Sequence, residues 1–182
     1  MRAEGIAGGY GAVYGELRTL ETLGLARRGY FVEGLGGAQF ALGGAVERLR
    51  ELRPRDGELL DALVLAAADP AQPYGAVVPW PKRAGARAAR VVGARVVLLG
   101  GEAVLFVERS GRSLVPLRDP DPAWLEPALA ALVAQVRGRG RGPGNRLAVE
   151  RFDGVAVLES PALDLLLAAG FAAGPRRLVL RP

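Results

Sequence analysis

The sequence of 182 residues contains neither cysteine nor histidine. Their absence excludes disulfide frameworks, thiol nucleophiles, Ser-His-Asp triads and the zinc sites that Cys and His build. No apolar run approaches the ~20 residues that span a bilayer, and residues 1–11 lack the apolar segment of a secretion signal. We therefore expect a soluble, cytoplasmic protein with no membrane partner, no metal and no other cofactor.

The sequence also lacks the phosphate-binding motif G-x-x-x-x-G-K-[ST], so we expect no ATP-binding loop. The stretch GGYGAVYG is rich in glycine but has no lysine, and it is interpreted as the entrance to a helix. Paired carboxylates for acid–base catalysis are not evident, because Asp69, Asp153 and Asp164 stand in loop, turn and helix contexts. A glycosylase needs only one activating carboxylate, so enzymatic activity stays open at this stage.

The charged residues comprise 24 bases and 19 acids, which leaves a net charge of +5. Lys82 is the only lysine, so the other bases are arginines. The guanidinium group of arginine is a forked donor that matches the oxygens of a phosphate. A basic excess of this size permits a polyanionic partner without establishing one.

Residues 27–42, RRGYFVEGLGGAQFAL, contain two extended segments, Tyr30 to Val32 and Ala38 to Leu42, around a Gly-rich turn, with two arginines at the entrance. A helix with apolar spacing over Val13 to Leu23 precedes them, and a second helix over about Ala45 to Arg53 follows. A recognition helix followed by a two-stranded wing is typical of a winged-helix module. Two further helices would normally precede the recognition helix. We therefore predict a truncated winged helix over residues 1–53, whose apolar helix stripe packs on another surface.

Residues 54–118 are predicted to form a β-barrel-like module with a Pro-rich loop. A helix-like stretch from Glu58 to Ala68 leads into the loop, where Tyr74 and Trp80 favour packing over a free linker. Glycine turns then divide residues 91–117 into a three-stranded meander. Its predicted buried face consists of Val92, Val96, Leu98, Val104, Phe106 and Leu114.

Residues 119–182 are predicted to form a C-terminal α+β unit. Asp121 and Pro122 begin a helix, and a hairpin turns at Asp153-Gly154. A short helix from Leu163 to Ala169 and a final strand follow. The apolar stripe of the first helix is Leu125, Leu129, Leu132, Val133 and Val136. The chain as a whole is assigned to the α+β class: a partial winged helix, a β-barrel-like meander and a C-terminal α+β unit.

The arginines around the wing are the first candidates for nucleic-acid binding. Arg27 and Arg28 lie between the recognition helix and the wing, and Arg18 lies on the polar face of the helix. Phosphate contacts from these side chains would fix the register of a nucleic acid without reading its sequence. The alternative is a solvated charge pair beside a wing that packs against protein.

Two further groups of cations are candidates. The basic loop RGRGRGPGNR, with Arg139 and Arg141, resembles segments that follow nucleic-acid backbones, but no aromatic residue is interleaved and a solvated loop is the alternative. The second group would form a stacking platform for a single-stranded base. The alternative there is a tryptophan packed into the barrel with solvated cations around it. The members of this second group are Trp80, Lys82, Arg83, Arg87 and Arg90.

The run from EGIAGGYG to ERLRELR, and above all RRGYFVEGLGGAQFA, resembles the large helicase-related (Lhr) family of bacterial superfamily 2 helicases. The segments AAADPAQPYGAVVPWP, VVLLGGEAVLFVERSGRSLVPL and SPALDLLLAAGF support the resemblance. It covers nearly the whole chain and points to the extreme C-terminal region of the long members. Gly43-Gly44 departs from the family, which often has a proline before this helix, and the departure affects a helix start rather than a site.

The resemblance implies ATP-dependent 3′-to-5′ DNA translocases that unwind RNA–DNA and DNA duplexes and are linked to DNA repair, with motor lobes upstream. It also implies winged helices and a β-barrel module similar to a DNA glycosylase fold, able to self-associate. Uracil-DNA glycosylase activity is attributed to that half in some members, and no motif places its catalytic residue on this chain. We expect DNA or an RNA–DNA hybrid, in the nucleoid, and the upstream helicase domains as partners. A glycosylase-like domain and an oligomerisation module without nucleic-acid contact are the alternatives.

Overall fold

The structure is a computed structural model, which describes residues 7–53, 61–138 and 146–182. Spatial contacts between residues divide the chain into two compact units. The predicted segments 54–118 and 119–182 fall almost entirely into the second of these units. The units are Met1–Glu58 with Ala76–Val78, and Leu59–Gly75 with Pro79–Pro182. Each unit combines helices with strands, and the predicted α+β class is confirmed.

The first unit contains a helix, a two-stranded antiparallel wing and a second helix, as predicted for a partial winged helix. These elements are α1 (Gly11–Thr22), β1 (Ala26–Gly29), β2 (Gln39–Leu42) and α2 (Ala45–Glu51). The wing pairs Ala26 with Leu42 and Gly29 with Gln39. Its first strand therefore ends before the segment from Tyr30 to Val32, which was predicted to be extended and instead begins the wing loop, residues 30–38.

The apolar stripe of α1 is only partly covered. Val13, Leu17 and Leu20 are half-buried, and Leu23 is 66% exposed. Within the described part of this unit, Ala26 is the only hydrophobic residue that is fully buried. The partner that was predicted to cover this stripe stays a prediction.

The second unit contains nine strands in two sheets, two α-helices and one turn of 3-10 helix among its described residues. Its first strands are β3 (Ala62–Ala66), β4 (Arg95–Leu99), β5 (Glu102–Val107) and β6 (Ser113–Pro116), followed by helix α3 (Pro122–Gly138). The remaining elements are β7 (Leu147–Val149), β8 (Arg151–Phe152), β9 (Val155–Ala156), the 3-10 turn Val157–Glu159, α4 (Leu163–Ala168), β10 (Ala172–Ala173) and β11 (Leu178–Leu180).

The larger sheet has six strands in the order β3-β4-β5-β6-β8-β9, and the smaller one has the order β10-β11-β7. Neighbouring strands are antiparallel except for β6 and β8, which are parallel. In the part of the chain that the structure describes, β3 and β9 end the larger sheet without pairing to each other. The prediction of a β-barrel-like module is therefore wrong, because the sheet is open.

The stretch predicted as helix-like, Glu58 to Ala68, contains strand β3 instead. Residues 54–60 lie outside the described residues, but Ala62 to Ala66 pair in register with Leu99 to Arg95 of β4. Leucine and valine at these positions suit a strand as well as a helix, so the available neighbour decides. Gln135 of α3 also donates a hydrogen bond of 2.9 Å from Nε2 to the Val64 carbonyl, which occupies a backbone acceptor of this edge strand.

Both faces of the meander are buried, whereas a single buried face was predicted. Val104 and Leu114 belong to a core with α3, while Val96, Leu98 and Phe106 face the Pro-rich loop, residues 69–91. A bulge between Val97 and Leu98 shifts the pairing with β5, so simple alternation cannot assign the faces. Val92 was also assigned wrongly, because it is 79% exposed.

Local signals in the last third of the chain are confirmed. All five predicted residues of the α3 stripe are buried, and the Asp121 carboxylate accepts a hydrogen bond of 2.8 Å from the Ala123 amide at the helix start. Asp153 and Gly154 have φ angles of 53° and 81°, as a two-residue hairpin turn requires. None of the described helices is both long enough and apolar enough to cross a membrane.

Candidate nucleic-acid interface

The two wing arginines occupy different environments although they are neighbours in β1. Arg28 forms an ion pair with Glu21 of α1 at 2.7 Å. Its guanidinium carbon also lies 5.2 Å from the ring centre of Phe40, its cross-strand partner, and 5.9 Å from that of Tyr14. Arg27 is exposed. It directly precedes Arg28 in β1, so the two side chains point to opposite faces of the wing. Arg28 therefore ties the wing to the helix, and Arg27 is the cation presented to solvent.

The start of α1 is tied to the wing by aromatic residues. Tyr10 donates a hydrogen bond of 2.5 Å from its hydroxyl to the carbonyl of Ala38. Tyr14 lies between Tyr10 and Phe40, with ring centres 5.7 and 6.0 Å away. Arg18, the third predicted contact of this unit, is exposed on α1.

The wing loop is organised by Gln39, a residue that the sequence analysis did not single out. Its Oε1 accepts hydrogen bonds from the amides of Phe31 and Val32, both at 2.8 Å. Its Nε2 donates to the carbonyls of Val32 and Leu35, at 3.0 and 2.9 Å. One side chain thus satisfies four backbone groups that no longer have a strand partner. A polar residue at the base of a Gly-rich turn is the only signal in the sequence for this arrangement.

Trp80 does not stand free beside the cations that follow it. Its ring stacks on Tyr74 with centres 5.9 Å apart and meets the edge of Phe106 at 5.8 Å. It packs against the core cluster on one face of the meander and is half-buried. Trp80 is therefore packed, as in the alternative given for this group, and Tyr74 occupies one face of its ring.

The cations after Trp80 divide into two that are held by the protein and two that are exposed. Arg83 donates to the Asp153 carboxylate at 2.6 and 2.7 Å and to Asp119 at 3.3 Å, and its side chain is only 18% exposed. The hydrogen bonds to Asp153 raise the pKa of Arg83 above its ordinary value, so it stays charged. Lys82 and Arg87 are exposed. They are the members of this group that a phosphate can reach without breaking an internal ion pair.

The remaining cation, Arg90, braces the Pro-rich loop. Its guanidinium donates to the carbonyls of Gln72 at 2.5 Å and Asp69 at 3.1 Å. Gln72 is itself buried, donates to the carbonyls of Ala67 and Tyr74, and accepts from the Tyr74 amide. These side chains replace the regular hydrogen bonds that four prolines deny the loop.

The basic loop with Arg139 and Arg141 lies outside the described residues. Arg137 and Arg146, which flank it, are exposed. Among the residues that are described, no three carboxylates come together in a way that would hold a metal ion. Among the predicted binding residues that the structure describes, those that are exposed are Arg18 and Arg27 in the first unit and Lys82 and Arg87 in the second, apart from Arg28 with its ion pair to Glu21. Their role in binding stays a prediction.

Comparison with known proteins agrees with this architecture. Residues 1–60 match the family model of the winged-helix domain of the large helicase-related protein. A Mycolicibacterium smegmatis protein named "Lhr helicase/ probable uracil glycosylase" is 45% identical over 190 residues, covering 98% of this chain and 12% of that protein. An Escherichia coli protein named "Lhr helicase/uracil glycosylase" is 32% identical over 179 residues, covering 97% of this chain and 11% of that protein.

The match to the winged-helix model coincides with the unit that holds α1, the wing and α2. The similarity to both relatives extends over almost the whole chain, which spans roughly an eighth of the length of the curated relatives it matches. Together these findings show that the chain belongs to the large helicase-related (Lhr) protein family.

Proposed function

We propose that this chain is a nucleic-acid-binding segment of an Lhr-type DNA helicase that acts in DNA repair. The observation that carries the proposal is the first unit, where a winged-helix domain of a helicase family presents Arg27 and Arg18 to solvent. Phosphate contacts of this kind position a domain on nucleic acid and require cations that are free of internal partners. Single-stranded or duplex DNA and an RNA–DNA hybrid are the partners of matching charge.

The proposal assigns no ATPase activity to this segment. The sequence has no G-x-x-x-x-G-K-[ST] motif, so the translocation of an Lhr-type helicase would depend on a motor elsewhere in the protein. The contribution of this chain would be to hold the substrate, or to hold another part of the assembly against it.

The test is the salt dependence of binding by the 182-residue chain. Fluorescence anisotropy with labelled single-stranded and duplex DNA, from about 50 to 200 mM salt, should show an affinity that falls steeply with salt. Replacing Arg18 and Arg27 together with alanine should reduce the slope of log affinity against log salt by up to ~2. An absence of binding, together with a mass that rises with protein concentration, would support an assembly module instead.

A uracil-DNA glycosylase function is a second candidate, because one relative is named a uracil glycosylase and the other a probable uracil glycosylase, in each case for the whole protein. On this chain the one described carboxylate held by a short bidentate contact, Asp153, is occupied by Arg83. Release of uracil from a uracil-containing strand by the 182-residue chain would support this function. A matched strand with thymine in its place is the control, and equal treatment of both strands would count against it.

A further inference from the structure

Tyr30 is the most exposed large hydrophobic side chain among the described residues, at 93%. It directly follows β1, and the arginines Arg27 and Arg28 lie within the same short strand. A single exposed apolar residue is ordinary on a protein surface. Tyr30 differs because the backbone on both sides of it is held in place.

The backbone around Tyr30 is fixed from two directions. Gly29 before it is the last residue of β1 and pairs with Gln39. The amide of Phe31 after it donates to the Gln39 side chain at 2.8 Å. The ring of Phe31 folds back over Gly29, where a Cβ would lie 3.0 Å from Phe31 Cζ. Tyr30 therefore lies between two residues whose backbone contacts are fixed, while its own side chain is exposed.

A surface depression is lined in part by Tyr30. It has a volume of about 460 Å³ and is lined by Arg28, Gly29, Tyr30, Gly37 and Ala38. Two of these residues have no side chain, so a flat group can approach the backbone closely. The residues that line the depression therefore include an aromatic residue, two glycines and an arginine.

We propose that Tyr30 is a base-stacking residue, which receives an unpaired nucleobase of single-stranded nucleic acid while Arg27 contacts a flanking phosphate. This inference rests on the proposed nucleic-acid-binding function and specifies that the wing binds single-stranded nucleic acid. A tyrosine held on a rigid turn loses little conformational entropy when a base stacks on it. The bases of a duplex are paired and stacked on each other, so they are not free to stack on Tyr30. The wing is therefore expected to bind single-stranded nucleic acid more tightly than duplex.

The experiment compares two probes with the full 182-residue chain: a single-stranded deoxythymidine oligonucleotide and an abasic oligonucleotide of the same length. The abasic strand keeps the phosphates and removes the bases. Tyr30→Ala should weaken binding of the first probe by roughly 5- to 150-fold and leave the second unchanged. Tyr30→Phe and Tyr30→Trp should restore binding of the first probe, because both keep an aromatic face.

The salt slope separates stacking from charge. Tyr30→Ala should leave the slope unchanged, since no counterion is released by a tyrosine, whereas Arg27→Ala should reduce it. Val32→Ala, a change at another exposed apolar residue of the wing loop, is the matched control and should bind both probes as the unaltered chain does. Equal thermal midpoints for Tyr30→Ala and the unaltered chain would show that the fold is intact.

Three outcomes would overturn the inference while the proposed function stands: Tyr30→Ala binds the thymidine strand normally, it loses affinity equally for both probes, or the chain binds duplex only. A chain that binds neither strand nor duplex overturns both the inference and the proposed function. If Tyr30→Ala changes the binding of neither probe but weakens binding of a protein partner, the inference is overturned and the wing is a protein-docking element.

Discussion

The guanidinium of Arg83 donates two hydrogen bonds to the carboxylate of Asp153, at 2.6 and 2.7 Å, across a separation of 70 residues. The pair joins the Pro-rich loop to the tight turn between β8 and β9. Asp153 has a φ of 53° in that turn, so one residue serves both the turn geometry and the ion pair. Arg83 was a candidate for phosphate contact in the sequence, and in the structure its guanidinium instead stabilises the fold through Asp153.

Asp153→Asn should lower the free energy of unfolding by about 1–2 kcal/mol, because a charged hydrogen-bond acceptor of a partly buried arginine is lost. Asparagine tolerates a positive φ, so the turn itself is retained. Asp119→Asn is the control and should change little, since Asp119 is 98% exposed and lies 3.3 Å from Arg83. Urea unfolding followed by tryptophan fluorescence measures both, and equal losses would contradict a special role for Asp153.

Gly75→Ala should destabilise the second unit more than Gly85→Ala does. Both glycines have positive φ, 76° and 79°, so each substitution carries a backbone cost of about 1–2 kcal/mol. A Cβ at Gly75 would also lie 2.3 Å from Nε1 of Trp80, whereas one at Gly85 meets nothing within 4 Å. The clash should add about 1–3 kcal/mol, as overpacking does. The two unfolding free energies give the comparison, and identical values would mean that Trp80 moves aside freely.

Gln39→Ala should open the wing loop without unfolding the unit. Four backbone groups lose their partner, and each such bond contributes about 0.5–1.5 kcal/mol. Hydrogen exchange at the amides of Phe31 and Val32 should accelerate, while the amides of α1 keep their rates. Gln39→Glu keeps the acceptor and loses the two donors, so it should give an intermediate effect. Unchanged exchange in Gln39→Ala would show that water replaces the side chain without loss.

Arg27→Ala and Arg28→Ala should separate binding from stability. Arg27 is exposed, so its loss should reduce the salt slope of DNA binding by about 0.7–0.9 and leave the thermal midpoint unchanged. Arg28→Ala removes the Glu21 ion pair and the contacts with two rings, so it should also cost about 0.5–1.5 kcal/mol of stability. Arg181→Ala, which removes an exposed charge near the C-terminus, controls for net charge. A loss of stability in Arg27→Ala would refute this division of roles.

Local patterns of the sequence predicted those elements whose signals lie within a few residues of each other. The apolar stripe of α3, its start at Asp121 and the turn at Asp153-Gly154 follow from periodicity and backbone preference, and the structure contains all three. The resemblance carried by RRGYFVEGLGGAQFA predicted the family, and the comparisons confirm it. The exposed cations Arg27, Lys82 and Arg87 also follow from the sequence as accessible charges.

Tertiary contacts decided the features that depend on residues far apart in the chain. Ala62 to Ala66 form a strand because β4 offers unsatisfied backbone groups beside them, although their composition suits a helix. The bulge at Val97 and the packing of Trp80 bury both faces of the meander, which alternation within one strand cannot reveal. Arg83 and Arg90 donate hydrogen bonds to the Asp153 carboxylate and the Gln72 carbonyl, acceptors that only the fold brings close to them. The sequence by itself determined which side chains carry charge and aromatic faces. The tertiary structure decided which of them remain free, because a partner across the fold satisfies a donor as fully as a ligand does.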